Sequence, residues 1–169
     1  MTNDTKQFEQ IAQELCDKAL NDAKGKLHPL LQGVEFDRLD NRHEFVQAFK
    51  QALERRLAKK LALWQPAVQA VYKFDGSWME SRSAWDGSVH LLVKVPRVSN
   101  AIWALGRRLD RCLLKYLKGL GWSRFQQKRS FLEIQQVAPN ELRHGVSYGA
   151  MFCAVYSLPV RVWPQSSEH

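Results

Sequence analysis

Apolar residues recur at three- and four-residue steps in three stretches of this chain, the spacing that places them on one face of an α-helix. The predicted helices cover about residues 4–24, 41–63 and 99–118. Pro66 follows the second helix and Ser99 can cap the third, so both boundaries have a local chemical reason. Gly25 is expected to end the first helix. The first two helices are amphipathic and form an N-terminal helical pair.

A second pattern, the alternation of apolar and polar residues, predicts β-strands in much of the remaining chain. The five expected strands cover about residues 68–74, 77–85, 88–95, 131–137 and 151–163. Asp75-Gly76 and Asp86-Gly87 separate the first three strands, and Asp-Gly is a strong signal for a two-residue hairpin turn. We therefore interpret Asp75 and Asp86 as corners of a three-stranded meander. At about 3.3 Å per residue they would lie roughly 25 Å apart, too far for joint catalysis.

The order of these elements, αα-βββ-α-ββ, predicts an α+β protein. We expect the N-terminal helical pair to be followed by a mostly antiparallel five-stranded sheet (βββ-α-ββ) covered by helices. The 169 residues suit a single domain. Within it, residues 1–40 would form the N-terminal helix and its connection, residues 41–164 the α+β core, and residues 165–169 a disordered tail.

Positive charge is concentrated in one part of the chain. The net charge is +8, yet residues 94–129 hold ten Lys or Arg residues against one acid, Asp110, so the remainder is nearly neutral. At about 100° per residue, five cations of the third helix share one stripe opposite its apolar face. These residues are Arg107, Arg108, Arg111, Lys115 and Lys118. Arg124, Lys128 and Arg129 follow and extend the basic segment.

A stripe of one charge sign favours an anionic partner, because ordinary solvated helix faces mix both signs. Phosphates on such a stripe release counterions and gain affinity, and an acidic protein surface is attracted by the same field. Trp122 and Phe125 lie beside the basic residues, where they could stack on bases or serve as core aromatics. The remaining interpretation is a plain solvated face.

A loop near the C-terminus carries a second set of polar residues. Arg143, His144 and Tyr148 lie among glycines there, and Arg and His side chains can bind an anion or transfer a proton. The sequence places no carboxylate or nucleophile beside them. We therefore interpret them as a candidate secondary polar site or as a purely structural loop.

Several protein classes are not favoured. The chain lacks an 18-residue apolar run and begins with polar residues, so we expect neither a membrane span nor a secretion signal. Cys16, Cys112 and Cys153 are widely spaced, which favours reduced thiols in the cytoplasm. The five His residues share no ligand spacing with each other or with the cysteines, and no cofactor motif is present. We therefore expect no metal and no cofactor.

Gly76-Ser77 after a strand, followed by a second strand at 88–93, resembles the nucleotidyltransferases of the polymerase-β-like superfamily. In that family the second strand opens with the two carboxylates that bind the catalytic metal ions. Here those positions hold Ser88 and His90. The resemblance therefore implies a degenerate domain that lacks its catalytic carboxylates.

The favoured function is a small, non-enzymatic binding module that uses the basic helix face and the segment to about residue 129. Its partner would be a polyanion such as nucleic acid, or an acidic protein. An alternative is a structural protein that forms homo-oligomers through its N-terminal amphipathic helices. A third hypothesis, an enzyme built on Asp75, Asp86, His90 and His144, requires these four side chains to converge in one cleft.

Overall fold

The computed structural model of this protein describes residues 2–27, 39, 42–73, 87–139 and 160–164. The helices there are α1 (Thr2–Lys26), α2 (His43–Trp64), α3 (Asn100–Gly119) and the single turn α4 (Ser123–Gln126). The strands are β1 (Ala70–Lys73), β2 (Val89–Lys94), β3 (Leu132–Val137) and β4 (Val160–Trp163).

The three helices expected from the apolar periodicity are confirmed, and their ends lie within two residues of the expected ones. Ser99 caps α3 as predicted, because its Oγ accepts a hydrogen bond from the Ile102 backbone N–H at 3.4 Å. The expected stop at Gly25 is wrong, since α1 continues to Lys26. A glycine inside a helix costs only about 1 kcal/mol, so it can be carried through the last turn.

The start of α3 is also tied to the end of β3. Gln136 Oε1 accepts from the Ser99 backbone N–H at 3.0 Å, and Gln136 Nε2 donates to the Ser99 carbonyl at 2.8 Å. The amide side chain thus satisfies both main-chain groups of the capping residue.

The described strands form one mixed sheet in the order β3-β2-β1-β4. β1 is antiparallel to both β2 and β4, whereas β2 and β3 are parallel, with Val89 opposite Leu132 and Lys94 opposite Val137. The α+β class is confirmed. In place of the expected mostly antiparallel five-stranded sheet, the described residues form a four-stranded mixed sheet, in which two of the three strand pairings are antiparallel and one is parallel. The cause is α3, which carries the chain back along the sheet so that β3 starts at the same end as β2.

Some expected features fall outside the described residues. They include the strand at 77–85, most of the strand at 151–163, the tail at 165–169 and both turn residues Asp75 and Asp86. Gly87 is described, and it is buried with φ near +90°, a conformation that favours glycine.

One apolar cluster holds the long helices and the sheet together. Alternate residues of β2 (Val89, Leu91 and Val93) are fully buried in it, together with residues of α1, α2 and α3. Helix α1 packs against α2 and α3, α2 packs against β1 and β4, and α3 packs against β3. The core therefore lies between the helices and one face of the sheet.

The apolar stripes of α1 and α2 face each other within one chain. Ala12, Cys16, Ala19 and Ala23 of α1 are almost fully buried, so small residues let the two helices approach closely. The same joint carries a two-point ion pair, in which Asp22 accepts from Arg56 at 2.6 and 2.9 Å. The surfaces on which the oligomerisation alternative depends are thus largely buried inside the monomer.

Candidate anion-binding surface

Helix α3 carries five cations along its solvent-facing side, which we call the basic ridge. Its members are Arg107, Arg108, Arg111, Lys115 and Lys118. Arg107, Arg111 and Lys115 are exposed, and the Lys115 side chain keeps 75% of its surface in water. Arg108 and Lys118 are half-buried. The predicted stripe is therefore a surface feature of the folded chain.

The basic ridge is hardly neutralised from within the described chain. Of its five members, only Lys115 has an acidic group of a described residue in salt-bridge range, Glu9 Oε1 at 3.5 Å. Arg107 lies over the Trp103 ring at 4.8 Å, and Arg108 lies over the Phe8 ring at 5.2 Å. Ring contacts of this kind orient a guanidinium but leave its positive charge in place.

The buried side of α3 is rotated from the predicted one. The apolar spacing assigns Ile102, Leu105, Leu109, Cys112, Leu113, Tyr116 and Leu120 to the face that packs on the sheet. In the structure Leu114, Leu117 and Gly106 are buried as well. Cys112 and Tyr116 instead lie on the side that meets α1, and the Tyr116 hydroxyl donates to Asp17 of that helix. The sheet and α1 both pack against helix α3, and each covers a different side of it.

The contact with α1 changes the titration of two groups on α3. Burial raises the pKa of the Tyr116 phenol, and the hydrogen bond to Asp17 adds to this. Burial also raises the pKa of the Cys112 thiol, helped by the nearby Glu9 carboxylate. Both groups therefore stay neutral near pH 7, so neither alters the charge of the basic ridge.

Two grooves run along the flanks of the basic ridge. The first lies between α1 and α3, encloses about 370 Å³ and is lined by Phe8, Glu9, Arg108 and Arg111, among others. The second lies between α3 and β3 and encloses about 380 Å³. Arg111 borders the first groove and Arg107 the second, so a ligand on the ridge can extend to either side.

Asp110, the single acid of the basic segment, has a structural role that the sequence did not reveal. Its Oδ1 accepts from the backbone N–H groups of Phe131 at 2.7 Å and Leu132 at 2.6 Å, and its Oδ2 accepts from Ser130 Oγ at 3.2 Å. Three hydrogen bonds at the start of β3 engage this carboxylate. It therefore anchors the strand to α3.

The residues expected to extend the basic face have mixed surroundings. Lys128 Nζ donates to Ser88 Oγ at 2.7 Å, so this lysine ties the segment after α4 to the start of β2. Arg124 is half-buried and Arg129 is exposed. The charges of α3 itself are thus better presented to a ligand than that of Lys128.

Of the two alternatives for Trp122 and Phe125, the core-aromatic one is confirmed and base stacking is excluded by their burial. Trp122 is 1% exposed and Phe125 is fully buried, and their rings stack on each other at 5.8 Å inside an aromatic cluster. Trp103 also lies beside the basic ridge, and its side chain is 54% exposed. Its position four residues before Arg107, one helical turn, is the sequence signal that could have identified it.

The groups of the enzymatic hypothesis are only partly described. His90 Nδ1 lies 3.4 Å from Glu133 Oε2, and the hydrogen bond from His90 holds the pKa of Glu133 below its usual value. Asp75, Asp86 and His144 fall outside the described residues, as do Arg143 and Tyr148 of the secondary polar site. In the part of the chain that is described, no three His, Cys, Asp or Glu side chains come together as a metal site would require.

No helix within the described ranges combines the length and the apolar character needed to cross a bilayer. No protein-family model, curated protein or solved structure gives a significant match to this chain.

Proposed function

We propose that this protein is a non-enzymatic binding module that contacts an anionic partner, nucleic acid or an acidic protein, through the basic ridge. The observation that carries the proposal is the charge imbalance on α3. Five cations share one side of the helix, and only Lys115 has an acid within 4.0 Å among the described residues. Like charges held together repel each other, and an anionic ligand removes that repulsion.

The dimensions of the ridge suit a polyanion. From Arg107 to Lys118 the helix rises about 16 Å at about 1.5 Å per residue. That length spans several phosphates of a nucleic acid or several acidic side chains of an extended peptide. Trp103 adds a flat apolar surface at one end of the ridge, on which a base or an apolar side chain can pack.

The free thiols fit the expected compartment. Cys16 is buried and Cys112 is half-buried, and both are unpaired cysteines. Buried reduced thiols suit the reducing cytoplasm, which is where we propose that the protein acts.

The proposal is tested by measuring the affinity of the full chain for three fluorescent probes by anisotropy. The probes are a single-stranded oligonucleotide, a duplex and a glutamate-rich peptide, each titrated between about 50 and 300 mM salt. Contact with four or five duplex phosphates gives a slope of about −4 in log K against log salt. The double variant Arg107→Glu/Arg111→Glu should lower the affinity for the bound probe at least tenfold.

The matched control is Arg55→Glu/Lys59→Glu. Both residues are exposed on α2 and are also four positions apart, so this variant changes the net charge equally but away from the basic ridge. It should weaken binding only about twofold, through the long-range field. Equal losses in the two variants, or an affinity that does not depend on salt, would refute a specific role for α3.

The oligomerisation alternative and the degenerate nucleotidyltransferase alternative remain predictions from the sequence. Neither gains a specific supporting observation. The apolar sides of α1 and α2, on which oligomerisation depends, are buried. Ser88, at a carboxylate position of the nucleotidyltransferases, accepts a hydrogen bond from Lys128.

A further inference from the structure

The outer edge of β3 presents main-chain groups that no described residue pairs with. The carbonyls of Phe131 and Val137 accept from β2, so the odd-numbered residues of β3 direct their N–H and C=O groups towards β2. Because these directions alternate along a strand, the N–H and C=O groups of Ile134 and Gln136 point away from the sheet. Within the described ranges, β3 is an edge strand.

The edge of β3 runs beside a groove whose other wall is α3. Trp103, Gly106, Arg107 and Asp110 line that wall at the three- and four-residue steps of one helix face. Gly106 allows the close packing, because a Cβ there would lie 3.3 Å from Ile134 Cδ1. The groove is therefore a slot between a helix and an unpaired strand edge, with the exposed Trp103 ring at its rim.

The charged side chains that line this groove differ in how many hydrogen-bond partners they already have. The Asp110 carboxylate already accepts three hydrogen bonds, and Glu133 is engaged by His90 and by Gln135 Nε2 at 2.6 Å. Arg107 makes no hydrogen bond or ion pair with a described residue, and its guanidinium lies over the Trp103 ring. Both carboxylates keep their negative charge, but hydrogen bonds engage their oxygens, whereas the N–H groups of Arg107 donate to no described residue. A guest carboxylate placed at Arg107 is therefore the matching group.

We propose that this groove binds an extended acidic segment of a partner protein as an additional strand on β3. The inference rests on the proposed function, since Arg107 belongs to the basic ridge, and it specifies the partner as protein. Main-chain bonds to Ile134 and Gln136 hold the guest strand. Its side chains that face α3 recur about 7 Å apart, so an apolar residue packs on Trp103 while a carboxylate next to it on the same side meets Arg107.

Strand edges in native proteins are commonly guarded by Lys, Pro or a bulge. The β3 sequence, LEIQQV, contains neither Lys nor Pro, its one charged residue, Glu133, is engaged by His90 and Gln135, and its pairing with β2 is regular throughout. An edge without these guards is suited to receive another strand.

The test uses the full chain and a displayed library of random twelve-residue peptides. Selection on the wild type, with counter-selection on Trp103→Ala, should enrich peptides that carry an apolar residue and an acidic residue two positions apart, on the same side of the strand. An enriched peptide is then synthesised in two N-methylated forms, which block the amides of alternate residues. One form should lose at least tenfold in affinity and the other less than threefold, because only one set of amides faces β3.

Amide exchange gives the second measurement. Bound peptide should slow exchange of the Ile134 and Gln136 amides at least tenfold, and Arg111→Glu should reduce peptide affinity less than Arg107→Glu does. No enrichment, equal loss in both methylated forms, or unchanged exchange would overturn the inference. If an oligonucleotide still binds through Arg107 and Arg111 in that case, the proposed function stands without it; if no anionic probe binds, both fail.

Discussion

Gly87 and Gly121 share a left-handed backbone conformation, with φ near +90° and +83°, but differ in their surroundings. A Cβ on Gly87 would lie 3.3 Å from Lys128 Cε and 3.4 Å from Phe125 Cε1, whereas a Cβ on Gly121 would meet nothing within 4 Å. We expect Gly121→Ala to lower the free energy of unfolding by about 1 kcal/mol through backbone strain. Gly87→Ala should cost about 1–2 kcal/mol more, because it also overpacks a buried site. Urea unfolding measures both, and equal losses would contradict the packing assigned to Gly87.

Asp110 provides a second test, at the start of β3. Replacing it by Ala leaves two strand amides without their acceptor, so Asp110→Ala should lower the free energy of unfolding by about 2–3 kcal/mol. Asp110→Asn retains one oxygen acceptor and should cost about half as much. Chemical denaturation of the two variants distinguishes them. A loss below about 0.5 kcal/mol for the Ala variant would show that the anchor contributes little.

Single residues were predictable from the sequence only where their partner lies nearby in the chain. The cap at Ser99 is set by an amide three residues on, and this prediction is confirmed. The partners of Asp110 lie 21 and 22 residues away, so the sequence showed this carboxylate only as one acid among cations. Trp122 and Phe125 were ambiguous for the same reason, because their burial depends on α2 and β3.

We expect the ion pair between Asp22 of α1 and Arg56 of α2 to make the free energy of unfolding depend on pH. The hydrogen bond and charge of Arg56 hold the pKa of Asp22 below its ordinary value of 3.8. A carboxyl group whose pKa is lower in the folded state than in the unfolded state stabilises the fold at pH values above its unfolded-state pKa. This stabilisation is lost as the pH falls through its folded-state pKa. Both side chains are 36% exposed, so Asp22→Asn should cost only about 0.5–1 kcal/mol at pH 7. The difference from the wild type should close as the pH falls below about 4.

Unfolding curves at several pH values measure this difference, with Glu14→Gln as control. Glu14 is on the same helix and accepts a bond only from the exposed Gln10 among the described residues. Its replacement should change stability by less than about 0.5 kcal/mol at any pH. A gap for Asp22→Asn that stays constant down to pH 2 would contradict a role for the charged pair.

The helices could be predicted well and the sheet only in part. A periodicity of 3.6 residues is a local property, so the bounds of α1, α2 and α3 are close to the expected ones. Alternation identifies a strand but does not give its direction or neighbour. The parallel pairing of β2 with β3 follows from the strand–helix–strand order that the sequence already contains, because a helix between two strands returns the chain to the same end of the sheet. The place of β4 beside β1 joins distant parts of the chain and has no such local signal.

The shared apolar core predicts that the described elements unfold as one unit. Cys16 of α1 is fully buried, and burial together with the Asp17 charge raises the pKa of its thiol. Alkylation of Cys16 therefore requires α1 to leave the core. We expect the opening free energy from alkylation rates to match the global free energy of unfolding within about 1 kcal/mol.

Mass spectrometry of the labelled peptides separates Cys16 from the other two cysteines. The half-buried Cys112 serves as the internal comparison and should react faster in the native protein. If Cys16 reacts at low denaturant with an opening free energy far below the global value, α1 is a separate unit, and the single-domain prediction is wrong.

The location of the charge in the whole molecule was foreseeable, and the shape around it was not. The basic ridge follows from residue spacing on one helix, which the sequence contains. The two grooves beside it depend on α1 and β3, which reach α3 through distant parts of the chain. Trp103 gained its place beside the ridge only because neither neighbour covers it.

Asp110 and Gln136 fasten the helix to the edge strand at opposite ends. Asp110 accepts hydrogen bonds from the first amides of β3. Gln136, near the far end of that strand, forms hydrogen bonds with Ser99, the capping residue of α3. These two sets of hydrogen bonds fix the width of the groove between α3 and β3, so the groove is preorganised for a guest strand. Little ordering entropy is then lost on association. Removing the hydrogen bonds of either Asp110 or Gln136 should weaken binding of the guest strand chiefly by raising its dissociation rate, even though no contact with the guest is removed.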